Sequence, residues 1–160
     1  MAGEEFRYCI DTSSLVHAYQ RSYPPDIFPD LWEKRFDELI DAGQLIAPFD
    51  VLEELKQKHD DLHEWSKFRP DMFVEIDDYQ DELAKIMHDF PRLVDTKKGK
   101  SGADPMVVAL AMSRNPRLTV VTEEGFGSAL SPKIPFVCAE RDLRCINVLQ
   151  LLRDQGWKFG

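Results

Sequence analysis

The sequence has few cysteines, no long apolar run and no basic excess. Its three cysteines, Cys9, Cys138 and Cys145, form no CxxC pair, which argues against a disulfide framework or a zinc knuckle. No run approaches the roughly 20 apolar residues of a membrane-spanning helix, and the first residues lack the basic-then-apolar layout of a secretory signal. We therefore expect a cytoplasmic protein without a membrane partner, folded as one domain over residues 1–160.

The charge is unevenly distributed along the chain. The formal net charge is -9, but up to Asp95 there are 10 basic and 23 acidic residues, and from Thr96 onward there are 10 basic and 6 acidic residues. Acidic stretches usually form a solvated surface, but they also supply metal ligands or a face for a basic partner. The charge balance alone does not favour nucleic-acid binding, which normally needs a basic surface.

Short apolar segments alternate with amphipathic ones. The pattern predicts strands in FRYCI, QLIAP, RLTVVTEE and IPFVCAE. It predicts helices after Ser13 or Ser14 and in LWEKRFDELIDAG, DVLEELKQK, DDYQDELAKIMHDF, DPMVVALAMSR and CINVLQLLRDQG. This alternation indicates βαβ units. The expected fold is therefore a three-layer α/β/α domain around a mostly parallel sheet of four to five strands.

Acidic residues stand at the ends of these predicted elements. Asp11 follows the first strand, and Glu123 and Glu124 end the RLTVVTEE strand. Asp104 opens a later helix, and Glu54 lies on the helix after the second strand. Because the carboxyl ends of parallel strands share one edge of a sheet, where sites form, we expect these acids to meet in space.

Four segments in order, YCIDTSSL, VLEEL, GADPMVVALA and VVTEEGF, resemble the acidic motifs of the PIN domain, a family of metal-dependent ribonucleases that includes the VapC-like toxins. The chain is similar in particular to a PIN-like family of uncharacterised prokaryotic proteins that ends in a pattern like IPFVCAERDLRCINVLQLLRDQGW. The resemblance spans nearly the whole chain. It implies a PIN-like fold and an endoribonuclease activity.

The resemblance assigns four catalytic and metal-binding residues: Asp11, Glu54, Asp104 and Glu124. The last acid of the family is commonly Asp, whereas two glutamates stand here. Because neighbouring residues of an extended segment face opposite ways, Glu123 remains the alternative to Glu124. The spacing from Thr122 favours Glu124.

Grouped carboxylates need a counter-charge. Two of them about 6 Å apart repel by roughly 2.8 kcal/mol at an effective dielectric of about 20. Oxygen ligands without matching His or Cys favour Mg²⁺ or Mn²⁺. The hypothesis is in-line attack on an RNA phosphodiester by a metal-activated water, with one or two cations. Thr12, Ser13 and Thr122 would hold waters or orient the acids.

A basic segment precedes Asp104. TKKGKSG is not a P-loop, because GxxxxGK[ST] would require Gly at the position of Val94. Lys97, Lys98 and Lys100 are candidate contacts for RNA phosphates, although an ordinary solvated loop explains them as well.

Other interpretations remain open for the acids. Asp11 could cap a turn, with Ser13 or Ser14 as the cap of the following helix, and Asp104 stands where a helix N-cap would. Glu54 lies on an amphipathic helix whose acids are usually solvated. The activity would fit the toxin of a toxin-antitoxin pair, with a protein antitoxin and a homodimer as further partners. The alternative is a PIN-like binding or scaffold module without activity.

Overall fold

Five short parallel strands form one sheet in the order β3-β2-β1-β4-β5. The computed structural model describes residues 6–93 and 102–159. The strands are β1 (Tyr8–Ile10), β2 (Leu45–Pro48), β3 (Phe73–Val74), β4 (Thr119–Val121) and β5 (Cys145–Ile146). The structure thus confirms the predicted α/β class and the parallel sheet.

Eight α-helices connect and cover the strands in the described ranges. They are α1 (Thr12–His17), α2 (Phe36–Asp41), α3 (Phe49–Lys58), α4 (Asp60–Lys67), α5 (Gln80–Asp89), α6 (Asp104–Ser113), α7 (Ile134–Glu140) and α8 (Val148–Gln155). Short π-type turns at Ala18–Ser22 and Leu31–Arg35 extend α1 and precede α2. Nowhere in residues 6–93 and 102–159 is a helix both long and apolar enough to cross a bilayer.

Helix α6 is the central helix of the fold. Its residues from Val107 to Ala111 are all buried, so it presents no polar face to solvent. It packs against three strands, β1, β2 and β4, and against helices α5 and α7. A helix that is apolar all round has to be enclosed in this way, and its enclosure fixes the position of Asp104 at its first turn.

A cluster of aromatic rings fixes the packing of the helical layer over β2. The Trp32 ring packs edge-on against Tyr19, Phe36 and Trp65, with centroid distances of 4.9–5.1 Å. The buried Trp32 Nε1 donates to the carbonyl of Tyr23 at 2.6 Å, so its polar group is satisfied.

The sheet differs from the sequence prediction at its β5 edge. IPFVCAE, predicted as a strand, is helix α7, with Pro135 in its first turn, and the strand that flanks β4 is instead Cys145–Ile146. A continuous apolar run does not distinguish a buried helix from a buried strand, and Pro suits a helix start. The strand Phe73–Val74 was not predicted, because two residues carry no periodicity.

The topology brings two loops together at the carboxyl edge of the sheet. From β1 the chain moves outward to β2 and β3, then returns to place β4 on the other side of β1. Ile10 pairs with Val121, and Asp11 N donates to Val121 O at 3.1 Å. Such a reversal of strand order opens a crevice at the strand ends, where ligands bind in sheets of this kind.

Candidate metal centre

Asp11 is buried at the end of β1, with 2% of its surface exposed. Its Oδ1 accepts from Ser14 N at 2.8 Å, which makes Asp11 the N-cap of α1. The Ser13 hydroxyl lies 2.9 and 2.8 Å from the two carboxylate oxygens, and Thr122 Oγ1 donates to Oδ2 at 2.5 Å. These three donors fix the orientation of the carboxylate and leave acceptor capacity for a cation.

The capping role of Asp11 therefore coexists with its place in the crevice. The sequence predicted that Ser13 or Ser14 caps the helix, but the cap is Asp11, and Ser13 lies inside the helix with its hydroxyl on Asp11. Ser13 Oγ also accepts from Glu123 N at 3.3 Å and lies 3.4 Å from Thr122 Oγ1. One hydroxyl thus connects the loop after β1 with the loop after β4.

Glu54 reaches the crevice from α3. Its Oε1 accepts from Thr12 Oγ1 at 2.5 Å, and its Oε2 accepts from Ala103 N at 3.4 Å. Thr12 adjoins Asp11 and Ala103 adjoins Asp104, so Glu54 bridges the segments that carry these two acids. Its neighbour Glu53 is exposed on the outer side of the same helix.

Asp104 begins helix α6 and is buried, with 6% of its surface exposed. The N-cap of this helix is Ala103, and the described residues show no side-chain capping bond there. The capping interpretation of Asp104 is therefore wrong, because the residue lies one position inside the helix. Its carboxyl group donates, when protonated, to Glu124.

The two adjacent glutamates diverge as expected for an extended segment. Glu124 lies beside Asp104, and its Oε1 accepts from Ile134 N, at the start of α7, at 3.3 Å. Glu123 Oε2 accepts from Val148 N, at the start of α8, at 3.2 Å, and its Oε1 lies 3.7 Å from His17 Nδ1. The structure thus turns Glu124 toward the other acids and Glu123 toward helices α1 and α8.

Burial and like charge disfavour ionisation in this crevice. Burial, followed by the negative charges of Glu124, Asp11 and Glu54, raises the pKa of Asp104 from 3.8 to about 8. Burial also raises the pKa of Asp11 to about 6, although the hydrogen bonds from Thr122, Ser14 and Ser13 oppose the rise. Asp11 and Asp104 therefore resist ionisation, and the charges of Glu124, Asp11 and Glu54 act on Asp104.

The donor set fits a hard divalent cation better than a soft one. Carboxylate and hydroxyl oxygens are the donors that Mg²⁺ and Mn²⁺ prefer. Across residues 6–93 and 102–159, no three His, Cys, Asp or Glu side chains are already arranged around a common metal position. Mg²⁺ typically uses one or two protein carboxylates and keeps several waters, so it does not require such a preformed set.

Sequence reasoning missed other groups near the crevice. Asp50, one helical turn before Glu54, has its pKa raised by burial and then by the charges of Glu54 and Glu53. Phe126 and Asn147 line an open cleft that also includes Thr122 and Glu124. The i, i+4 spacing of Asp50 and Glu54 could have identified Asp50 from the sequence. No sequence pattern indicates Phe126 or Asn147. Lys97, Lys98 and Lys100 lie outside the described residues.

The fold and the crevice define a doubly wound α/β domain with four carboxylates at the point where the strand order reverses. The chain belongs to the family described as "Domain of unknown function (DUF4411)", whose match covers residues 8–159. No curated protein and no solved structure matches the chain.

Proposed function

We propose that this protein is a PIN-like, Mg²⁺- or Mn²⁺-dependent endoribonuclease. One observation carries the proposal: Asp11, Glu54, Asp104 and Glu124 come from four separate segments and converge at the carboxyl edge of β1 and β4. A group of like charges with two buried members, Asp11 and Asp104, is destabilising by itself, and a divalent cation would neutralise it. The resemblance of the motifs to PIN domains supplies the reaction class.

The residues divide into ligands and groups that orient them. Asp11 and Asp104 are the most buried acids and are proposed to hold the cation, with Glu54 and Glu124 binding it directly or through water. Bound there, the cation would supply activation of water and neutralisation of phosphate charge. Thr122 and Ser13 hold the Asp11 carboxylate, and Thr12 holds Glu54. Their hydroxyls thereby fix the donor positions before the cation arrives.

The protein itself contributes two further effects. The crevice excludes much of the solvent around Asp11 and Asp104, which strengthens the attraction between the carboxylates and a cation. Glu124, which accepts from the amide of Ile134, can also accept a proton from the attacking water. A toxin role, a protein antitoxin and a homodimer belong to the proposal through the family resemblance alone.

The proposal is tested by RNA cleavage with purified protein in Mn²⁺, in Mg²⁺ and in EDTA. Cleavage should require the cation and fall by at least about 100-fold in Asp104→Asn. Glu53→Gln removes a neighbouring exposed charge and is the matched control, which should retain activity. Equal cleavage in EDTA, or an unaffected Asp104→Asn, would contradict the proposal.

A further inference from the structure

An open cleft of about 440 Å³ adjoins the carboxylate cluster. Glu124 belongs to both, and Thr122 of the cleft lining donates to Asp11, so the cleft is continuous with the proposed cation site. Its volume falls within the range of about 300–1,000 Å³ that is usual for small-ligand pockets. The cleft lies on the side of β4 and β5, between the loop after β4 and the segment after β5.

The lining of the cleft is charged at Glu124 and mostly apolar elsewhere. Phe126, Pro135, Leu143 and Ile146 provide apolar surface. Glu124 is the one charged side chain among the described lining residues. A phosphate near Glu124 depends on a cation, whereas the remainder of the cleft suits an uncharged, flat group.

Phe126 is exposed and yet held in position. Its side chain is 55% exposed, and its ring packs edge-on against Phe136 at a centroid distance of 5.4 Å. The next residue, Gly127, has φ +79°, and an added Cβ would lie 2.7 Å from both Lys133 N and Ser131 O. The closed turn and the contact with Phe136 therefore present the Phe126 ring in a fixed orientation.

Asn147 provides an oriented polar group in the same lining. Its Oδ1 accepts from Gln150 N at 2.9 Å and caps helix α8. The cap fixes the amide plane and leaves the Nδ2 group as a donor for a carbonyl oxygen. An aromatic face combined with such a donor matches the two recognition elements of an unpaired nucleobase.

We infer that this cleft binds one unpaired nucleobase of a single-stranded RNA, stacked on Phe126 and hydrogen-bonded by Asn147. The inference rests on the proposed function, because the adjoining cation site positions the phosphate. The substrate is therefore single-stranded at the cut, since a paired base cannot leave its stack without an added cost. Phe126 determines affinity for the base and takes no part in the bond cleavage.

The test measures binding of a fluorescent single-stranded RNA in Ca²⁺, which shares the oxygen-ligand preference of Mg²⁺. Phe126→Ala should weaken binding about tenfold, the usual range for loss of one base-aromatic stack. Phe126→Trp should restore it. Asn147→Ser keeps a helix cap and should weaken binding by about threefold. The same RNA in a duplex should bind more weakly than the single strand.

Leu130→Ala is the matched control. Leu130 is 76% exposed in the same loop but does not line the cleft, so RNA binding should be unchanged. If Leu130→Ala loses as much affinity as Phe126→Ala, the effect is a general one of the loop and the inference is overturned. The inference is also overturned if Phe126→Ala binds RNA with the affinity of the wild type.

Mn²⁺ titration and RNA cleavage, measured in parallel, separate the two proposals. If Phe126→Ala raises KM while kcat and Mn²⁺ binding stay near wild type, the subsite is supported. If wild type binds RNA through Phe126 but neither binds Mn²⁺ nor cleaves, the nuclease proposal fails and the subsite stands. If wild type cleaves RNA and Phe126 has no effect, the subsite alone fails. Absence of RNA binding by wild type overturns both.

Discussion

Replacing Asp104 by asparagine is expected to stabilise the cation-free protein above neutral pH. The pKa of Asp104 rises from 3.8 to about 8 in the fold, so the native state binds this proton more tightly than the unfolded chain does. By linkage, the contribution of Asp104 to the free energy of unfolding is greatest below about pH 4 and falls as the pH rises toward 8. The acid form stabilises the fold, and ionisation destabilises it.

The size of the effect follows from the pH interval. Each pH unit between the unfolded and folded pKa values corresponds to about 1.4 kcal/mol, so ionisation of Asp104 should lower the unfolding free energy by about 2 kcal/mol between pH 6 and pH 8. The Asp104→Asn variant has no carboxyl group at this position, so its unfolding free energy should not fall for this reason. For a chain of this size, about 2 kcal/mol corresponds to about 4–8 °C in Tm.

The assay is urea and thermal unfolding of both proteins in EDTA at pH 6 and pH 8. Wild type should lose stability over this interval, and Asp104→Asn should lose markedly less. Adding Mn²⁺ should reverse the ranking, because binding at about 100 times Kd adds about 2.7 kcal/mol to wild type only.

Glu53→Gln controls for the loss of one negative charge on an exposed surface, and it should follow wild type in both conditions. If wild type and Asp104→Asn lose stability in parallel in EDTA, the electrostatic account of the crevice is wrong.

Three further predictions follow from the geometry. Mn²⁺ affinity, measured by isothermal titration, should rise between about pH 6 and pH 8, because the pKa values of Asp11 (about 6) and Asp104 (about 8) make protons compete with the cation; a flat profile would argue against these ligands. Glu124→Gln should reduce RNA cleavage by at least about 100-fold and Glu123→Gln far less, since only Glu124 adjoins Asp104; equal losses would remove the distinction. Gly127→Ala should destabilise the fold by about 1–3 kcal/mol in urea unfolding, whereas Gly125→Ala, whose added Cβ meets nothing within 4 Å, should not.

The sequence was informative where a residue pattern directly reflects burial. LIAP and TVV are short apolar runs between turn signals, and they form β2 and β4 as predicted. The pattern failed for Ile134–Glu140, where partly enclosed apolar residues give no period that separates helix from strand. It was silent for Phe73–Val74, which is a strand only because β2 lies beside it.

The convergence of the acids follows from topology more than from any one motif. Asp11 and Glu124 could be expected to approach each other once β1 and β4 were recognised as parallel strands. The contact of Glu54 with Thr12 and the enclosure of Asp104 depend on how α3 and α6 pack. Tertiary packing of this kind is not encoded at any fixed spacing, so the hydrogen bonds that orient the site could not be predicted.

The carboxylates of the crevice destabilise the cation-free protein and are expected to stabilise the cation-bound protein. Without a cation, Asp11 and Asp104 are buried among negative groups, which makes the native state resist ionisation. With a divalent cation, the same proximity becomes attractive, because each carboxylate then faces a double positive charge. A scaffold that does not use a cation would gain stability from a neutral residue in place of Asp104, which caps no helix. A protein whose neutral variants are more stable in EDTA and less stable in Mn²⁺ is therefore one whose acids are arranged for the cation.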